Sequence, residues 1–209
     1  MGKFLCFSLL LAASLGLIRA DVTNAAPIFL DPNLEAAVRQ QVFAKRYTNS
    51  PLTAADVANV STVVANFRGI TNLAGLEHCK ALAALELAGN QVANLAPLTG
   101  LKQLQLLLLT SNRVSDIGPI GTLPALQYIE LSHNAVGELQ PLSALTNLAS
   151  VYVGNNKIKS LAALTNLPRL VTLYAETNAI TSLEGVQNLS RLSGVSLSAV
   201  TMLRASALV

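Results

Sequence analysis

The chain has 209 residues, a length that suits one domain with a sizeable core. Hydrophobic residues make up 52% of it and charged residues only 12%, which excludes a disordered or strongly charged protein. The formal charge of +3 forms no run or stripe; setting aside Lys3 and Arg19 in the first twenty residues, basic and acidic side chains nearly balance, which argues against nucleic acid as a ligand.

The start of the chain reads as an export signal. Met1-Gly2-Lys3 is basic, Phe4 to Ile18 is apolar, and small residues follow at Ala20 and at Ala25-Ala26. Residues 1–20 are therefore predicted to be a signal peptide, with cleavage as late as 26. The apolar stretch is short for a membrane span and is interrupted by Arg19, and no later segment reaches spanning length without polar residues. The mature chain is expected to have no membrane span and to be secreted, periplasmic or on the cell surface. Cys6 precedes the apolar core, so it is not placed for lipidation. After cleavage Cys79 is the only cysteine and no intramolecular disulfide can form.

Residues 27–60 are predicted to form a helical cap. A helical pattern runs from Pro27 to about Thr48, with Asp31 as N-cap, Pro32 at the first helical position, and Leu34, Ala37, Val38, Gln41 and Val42 along one face. Lys45-Arg46 would then sit at the helix C-terminus, where positive charge suits the dipole. After Asn49-Ser50-Pro51, Thr53 and Asp56 predict a small capping box over a second short helix.

From residue 61 onward a 22-residue repeat takes over, in the pattern Leu-x-x-Leu-x-Leu-x-x-Asn. Leu82, Leu85, Leu87 and Asn90 recur as Leu104, Leu107, Leu109 and Asn112, and the asparagine returns at Asn134, Asn156 and Asn178. About five regular coils span 77–186. A degenerate coil precedes them, keeping Val63, Ile70, Leu73 and Leu76 but placing Arg68 in the asparagine slot. Another follows them, in which Val195-Ser196-Leu197 keeps the strand pattern while Val200 takes the asparagine slot. Atypical terminal repeats close the core of a solenoid, and the tail to Val209 is expected either to fold over the last coil or to leave an apolar edge.

Each asparagine has a mechanical reason. The chain turns sharply after every strand, and an amide side chain supplies both donor and acceptor to the backbone groups inside the turn and along the stack. These five residues are read as a structural ladder. After each asparagine, apolar residues recur every third position, as in Val114-Ile117-Ile120, with Pro97, Pro119 and Pro141 among them; this predicts short 3₁₀ turns. Cys79 stands in the slot of Leu101, Leu123 and Leu145 and is read as a buried small hydrophobe despite Glu77 and His78 beside it.

These features carry a resemblance over residues 31 to 199. The helical start Asp31-Pro-Asn-Leu-Glu-Ala-Ala-Val, the entry segment Phe67 to Leu76, and the 22-residue coils resemble the bacterial internalin-type leucine-rich repeat proteins. The resemblance implies an α/β solenoid. This would be a leucine-rich repeat horseshoe or arc with short parallel strands on the concave face, 3₁₀ turns on the convex face and a helical N-terminal cap. It also implies extracellular recognition; host-cell adhesion is not carried over, because the chain shows no wall-sorting signal and no immunoglobulin-like domain after the repeats.

If the repeat leucines point inward, alternation along each strand puts other residues on the concave face. Glu86, Leu106, Leu108, Tyr128, Glu130, Tyr152, Tyr174 and Glu176 are the predicted binding residues. The three tyrosines are the only aromatic residues after position 70, and all fall in these slots on consecutive coils. Tyrosine joins a large apolar area to a polar tip, a combination enriched at binding hot spots. The expected function is a protein-recognition module; a glycan or cell-wall binder stacking sugars on the tyrosines is the alternative, and a phosphatase-regulatory-type scaffold is disfavoured by the export-like start. Glu86 and Glu130 could be proposed as a carboxylate pair, but no histidine partner or enclosing wall accompanies them, and His133 reads as a solvated turn residue. No catalytic residue, metal site or cofactor is expected.

Overall fold

The computed structural model describes residues 26–187 and 189–197; the export-like start to residue 25 and the tail from residue 198 lie outside them. Helix α1 (Pro32–Arg39) and the one-turn helix α2 (Ala54–Val57) form the cap. Seven three-residue strands follow, β1 (Thr62–Val64), β2 (Ala84–Glu86), β3 (Leu106–Leu108), β4 (Tyr128–Glu130), β5 (Ser150–Tyr152), β6 (Thr172–Tyr174) and β7 (Gly194–Ser196). They make one parallel sheet in chain order, so each strand meets only the strand of the coil before and the coil after. The chain is a leucine-rich repeat solenoid.

In β1 to β6 the middle residue faces the core, whereas Val195 in the middle of β7 is exposed. Leu85, Leu107, Ile129, Val151 and Leu173 are fully buried, and their strand neighbours on either side are partly exposed. On the far side, 3₁₀ turns occupy Leu76–His78, Ala96–Leu98, Gly118–Thr122, Gln140–Leu142 and Ala162–Leu164. Three of them carry proline in the first turn, where its missing N–H costs nothing. Cys79 is fully buried in its column, and burial pushes its thiol up to about 12, which makes it a poor nucleophile.

The asparagines hold neighbouring coils together through the backbone. Asn134 donates from Nδ2 to the carbonyls of Leu131 and Ser132 in its own turn and to Leu109 one coil earlier. Its Oδ1 accepts from Val114 N, also one coil earlier, at 2.8 Å. Asn90, Asn112, Asn156 and Asn178 repeat the donor pattern. Among the described residues no ladder asparagine bonds another: the ladder runs from amide to backbone.

A second column was not visible in the repeat pattern. The residue just before each ladder position, Phe67, Gly89, Ser111, His133, Asn155 and Thr177, has a positive φ between 53° and 67°. The left-handed turn is thus a property of the coil; Ser111, His133, Asn155 and Thr177 each precede the amide that fixes the turn, while the turn at Phe67 is held by Arg68 N donating to Asn90 Oδ1 of the next coil.

The cap differs from its sequence reading in one respect. α1 ends at Arg39, and residues 41–47 continue as hydrogen-bonded turns instead of a helix to Thr48. The Arg39 guanidinium donates to the carbonyls of Lys45, Thr48 and Ser50, which bends the following chain back over the helix end. Gln41 is exposed while Val42 still reaches the core. Arg39, paired with Glu35, is therefore the basic residue of the last helical turn, and Lys45 turns instead to Asp56.

Asp31 does more than cap α1. Its Oδ1 accepts from Asn33 N and Leu34 N, while Oδ2 accepts from Thr71 N and Asn72 N in the first coil. Burial alone would raise its pKa, but these backbone donors outweigh it and hold the carboxyl below its usual range. One carboxylate thereby joins cap to solenoid across 40 residues of sequence.

Removing a ladder amide should be costly. Asn134→Ala leaves Val114 N without its partner and takes one of two donors from the carbonyls of Leu109, Leu131 and Ser132, and we expect a loss of about 1–3 kcal/mol in urea unfolding; a loss within measurement error would show that water replaces the amide freely.

The cap should also weaken in acid. The Lys45 ammonium, then Thr53, hold Asp56 at about 2 against an ordinary value of 3.8. A depressed folded value stabilises fully above the unfolded one and ceases to as pH falls through the folded one. Thermal melts should show Tm declining from about pH 4 towards pH 2, with a flatter dependence in Asp56→Asn.

Candidate functional site

The outward residues of the strands make three rows across the sheet. The parallel register sets Ala84, Leu106, Tyr128, Ser150 and Thr172 in one row. The second row runs Val64, Glu86, Leu108, Glu130, Tyr152 and Tyr174. Two residues beyond it lie Asn66, Ala88, Thr110, Ser132, Gly154 and Glu176, which continue the same face past the strand ends.

All eight predicted binding residues lie on this face, though not in one line. Tyr152 and Tyr174 are direct register partners, whereas Tyr128 stands in the first row and reaches Tyr152 diagonally. The rings nevertheless stack: Tyr128 and Tyr152 have centroids 5.1 Å apart at 30°, and Tyr152 and Tyr174 are 5.0 Å apart at 8°. Stacking thus places a tyrosine ring against each face of Tyr152. Tyr174 is 37% exposed, while Tyr128 and Tyr152 are half-buried in the stack.

Leu106 and Leu108 lie partly exposed beside this stack, towards the cap. At the cap end, Val64 and Phe67 add further exposed apolar area. The Phe67 ring lies against Gly89, where any side chain would collide with it. The sequence pattern did not single out Phe67, and its signal was the slot before the ladder position.

The three glutamates are held differently. Glu86 accepts from Asn66 Nδ2, and Asn66 Oδ1 in turn accepts from Ala88 N. Glu130 Oε1 accepts from Ser132 N at 2.8 Å. Glu176 leans across Gly154: a Cβ at 154 would lie 3.3 Å from its carboxyl carbon, and its Oε2 is buried with no hydrogen-bond partner. Among the described residues the ion pairs of lysine and arginine are Glu35–Arg39 and Lys45–Asp56, so none of the face glutamates has a cation of its own. Lys102, Arg113, Lys157, Lys159 and Arg169 are exposed outside the strands.

Little here suits acid–base chemistry. Glu86 and Glu130 are separated by the intervening strand that carries Leu108, and His133 sits exposed in its turn, 3.5 Å from Asn155 Nδ2. The described residues contain no group of three or more His, Cys, Asp or Glu placed to hold a metal, and no described helix is long and apolar enough to cross a membrane.

The likenesses to known proteins agree with this architecture. A family model described as Leucine Rich repeats (2 copies) matches residues 102–144. Internalin C2 of Listeria monocytogenes is 30% identical, with 81% of this chain and 84% of that one covered and a TM-score of 0.63. Two further structures share the fold. A leucine-rich repeat protein of Leptospira interrogans is 22% identical over 69% of this chain and 44% of that one, with a TM-score of 0.55. The ectodomain of a plant receptor kinase from Arabidopsis thaliana, solved in complex with Casparian strip integrity factor 2, is 22% identical over 60% and 16%, with a TM-score of 0.54. No curated protein sequence matches the chain.

The stack makes a spectroscopic prediction. Burial, then the Tyr152 hydroxyl and the charge of Glu130, push the Tyr128 phenol up to about 12 from its ordinary 10. In a tyrosinate absorbance titration, the component ionising near pH 12 should vanish in Tyr128→Phe and move down in Tyr152→Phe; no change in either variant would refute this account of the stack.

Proposed function

The chain belongs to the bacterial internalin-type leucine-rich repeat proteins, and from that premise we propose that it is an exported recognition module. Its partner is a protein, bound on the outward face of the sheet through Leu106, Leu108, Tyr128, Tyr152 and Tyr174, with Glu86, Glu130 and Glu176 around them. The family supplies the general expectation of an interaction scaffold. The observation that carries the assignment to this face is the three-ring stack in outward slots, where the core makes no demand for aromatic residues.

Aromatic residues in a sheet do stabilise their neighbours, by about 0.5–1.5 kcal/mol per stacked pair. That benefit alone does not explain why Leu106, Leu108 and Val64 extend apolar area along the same face towards the cap. A rigid aromatic cluster with acidic surroundings and no internal cation matches the anatomy of a recognition patch. Sugar stacking fits less well, because it needs open ring faces and a tyrosine ring lies against each face of Tyr152. Export rests on the basic and apolar start of the sequence, and the cap at 27–60 and repeats from 61 make up the mature recognition unit.

Capture of partners from envelope and extracellular fractions tests the reading. Wild-type protein should retain a protein that the Tyr128/Tyr152/Tyr174→Ala variant, verified as folded by circular dichroism, does not. Equal retention by both would rule out this face as the contact surface.

A further inference from the structure

The tyrosine stack has a chemistry of its own, apart from what it binds. Tyr152 and Tyr174 are register partners on adjacent strands, with ring centroids 5.0 Å apart at 8°. Near-parallel rings repeated by the step of the sheet set each carbon ortho to a hydroxyl about 5 Å from its counterpart. Tyr174 is 37% exposed, which admits an oxidant and leaves its ring room to pivot. Tyr128 meets Tyr152 on a diagonal, at 30°, and its phenol holds its proton more firmly than an ordinary tyrosine. The fourth tyrosine, Tyr47, lies in the cap, where the Arg46 guanidinium sits over its ring. Other easily oxidised groups are scarce: the sequence holds no tryptophan, and Cys79 is fully buried in its core column.

We propose that Tyr152 and Tyr174 form an oxidative cross-linking site, joined into dityrosine by a haem peroxidase acting with hydrogen peroxide. The peroxidase takes one electron from each phenol, and each hydroxyl releases its proton. Hydrogen peroxide accepts both electrons and both protons and leaves as two water molecules. The two phenoxyl radicals then pair. A C–C bond forms between their ortho carbons, and the hydrogens those carbons carried move to the oxygens, which restores both phenols. Stacking supplies the geometry: each radical has its partner already in place, so coupling is intramolecular and does not depend on protein concentration. The new bond spans one 22-residue repeat and ties β5 to β6 covalently, so it also restrains the unfolded chain. None of this depends on what the outward face binds.

The test is treatment of the full chain with a haem peroxidase and hydrogen peroxide, followed by tryptic peptide mapping. Trypsin cuts after Arg113, Lys157, Arg169 and Arg191, so Tyr128 and Tyr152 share one peptide and Tyr174 lies in another. We expect these two peptides joined, at their summed mass less two hydrogen atoms, with dityrosine fluorescence in a protein that stays monomeric. The yield should hold when the protein is diluted about tenfold. Phenylalanine keeps the ring and its stacking but has no hydroxyl to oxidise, so each single variant should retain the fold, as circular dichroism checks. Tyr152→Phe and Tyr174→Phe should each abolish the joined species, and Tyr128→Phe should keep it. Absence of joined peptides overturns the proposal. So does a link within the Tyr128–Tyr152 peptide in their place, or a joined species that survives in Tyr152→Phe. Cross-links found only between molecules and lost on dilution overturn it as well, and assign the reactivity to tyrosines meeting by collision.

Discussion

Every other feature of this molecule depends on a return of the chain to the same place after 22 residues. The side-chain amide of one asparagine per coil enforces it, because it bonds the turn it belongs to and, at the same time, the backbone of the coil before. With the advance fixed, each strand residue falls beside its counterpart, leucine above leucine inside and outward side chain beside outward side chain. A single substitution is therefore never isolated: its neighbours on both sides occupy the same position in the coil. Hydrophobic burial supplies most of the stabilisation, but it is non-directional, and without the amide bonds it would tolerate slippage between coils.

The outward face shows how this regularity becomes specific. The framework demands nothing of the outward slots beyond strand compatibility, so they are free to carry chemistry. Three of them hold tyrosines whose rings assemble across coils even though Tyr128 is out of line with the other two. One slot past the strands holds glycine, and the absence of a side chain at Gly154 gives Glu176 its unusual position. Rigid backbone rows and a few unlike side chains together produce a surface that is ordered before any partner arrives, which lowers the entropy lost on association.

Much of this was legible in the sequence, for reasons that differ by element. The asparagine period and the third-position apolar spacing are local and repeated, so strands, 3₁₀ turns and inward columns could be placed residue by residue. The caps at Asp31 and Thr53 were readable because their partners lie within three residues. The length of α1 was not, because its end is set by Arg39 reaching carbonyls up to 11 residues away, and propensity does not register such bonds. Nor was the second role of Asp31, whose partners Thr71 and Asn72 lie in another part of the chain. The left-handed turn column escaped notice because Phe67, Ser111, His133, Asn155 and Thr177 share no chemistry, only a position. On the outward face the sequence placed all eight residues, but the diagonal step of the tyrosines and the lean of Glu176 over Gly154 need side-chain geometry.

The amide bonds also have a direction. Asn90 receives the amide of Ile70, Asn112 that of Val92, Asn134 that of Val114, and each reaches back across 20 residues. A coil therefore cannot lock itself; it is secured by the one synthesised after it. On the ribosome, structure would accumulate from the cap outward, with closure trailing the growing chain by about one repeat. The cap at Asp31 is then the seed as well as the lid of the core, where the first coil finds a finished partner waiting.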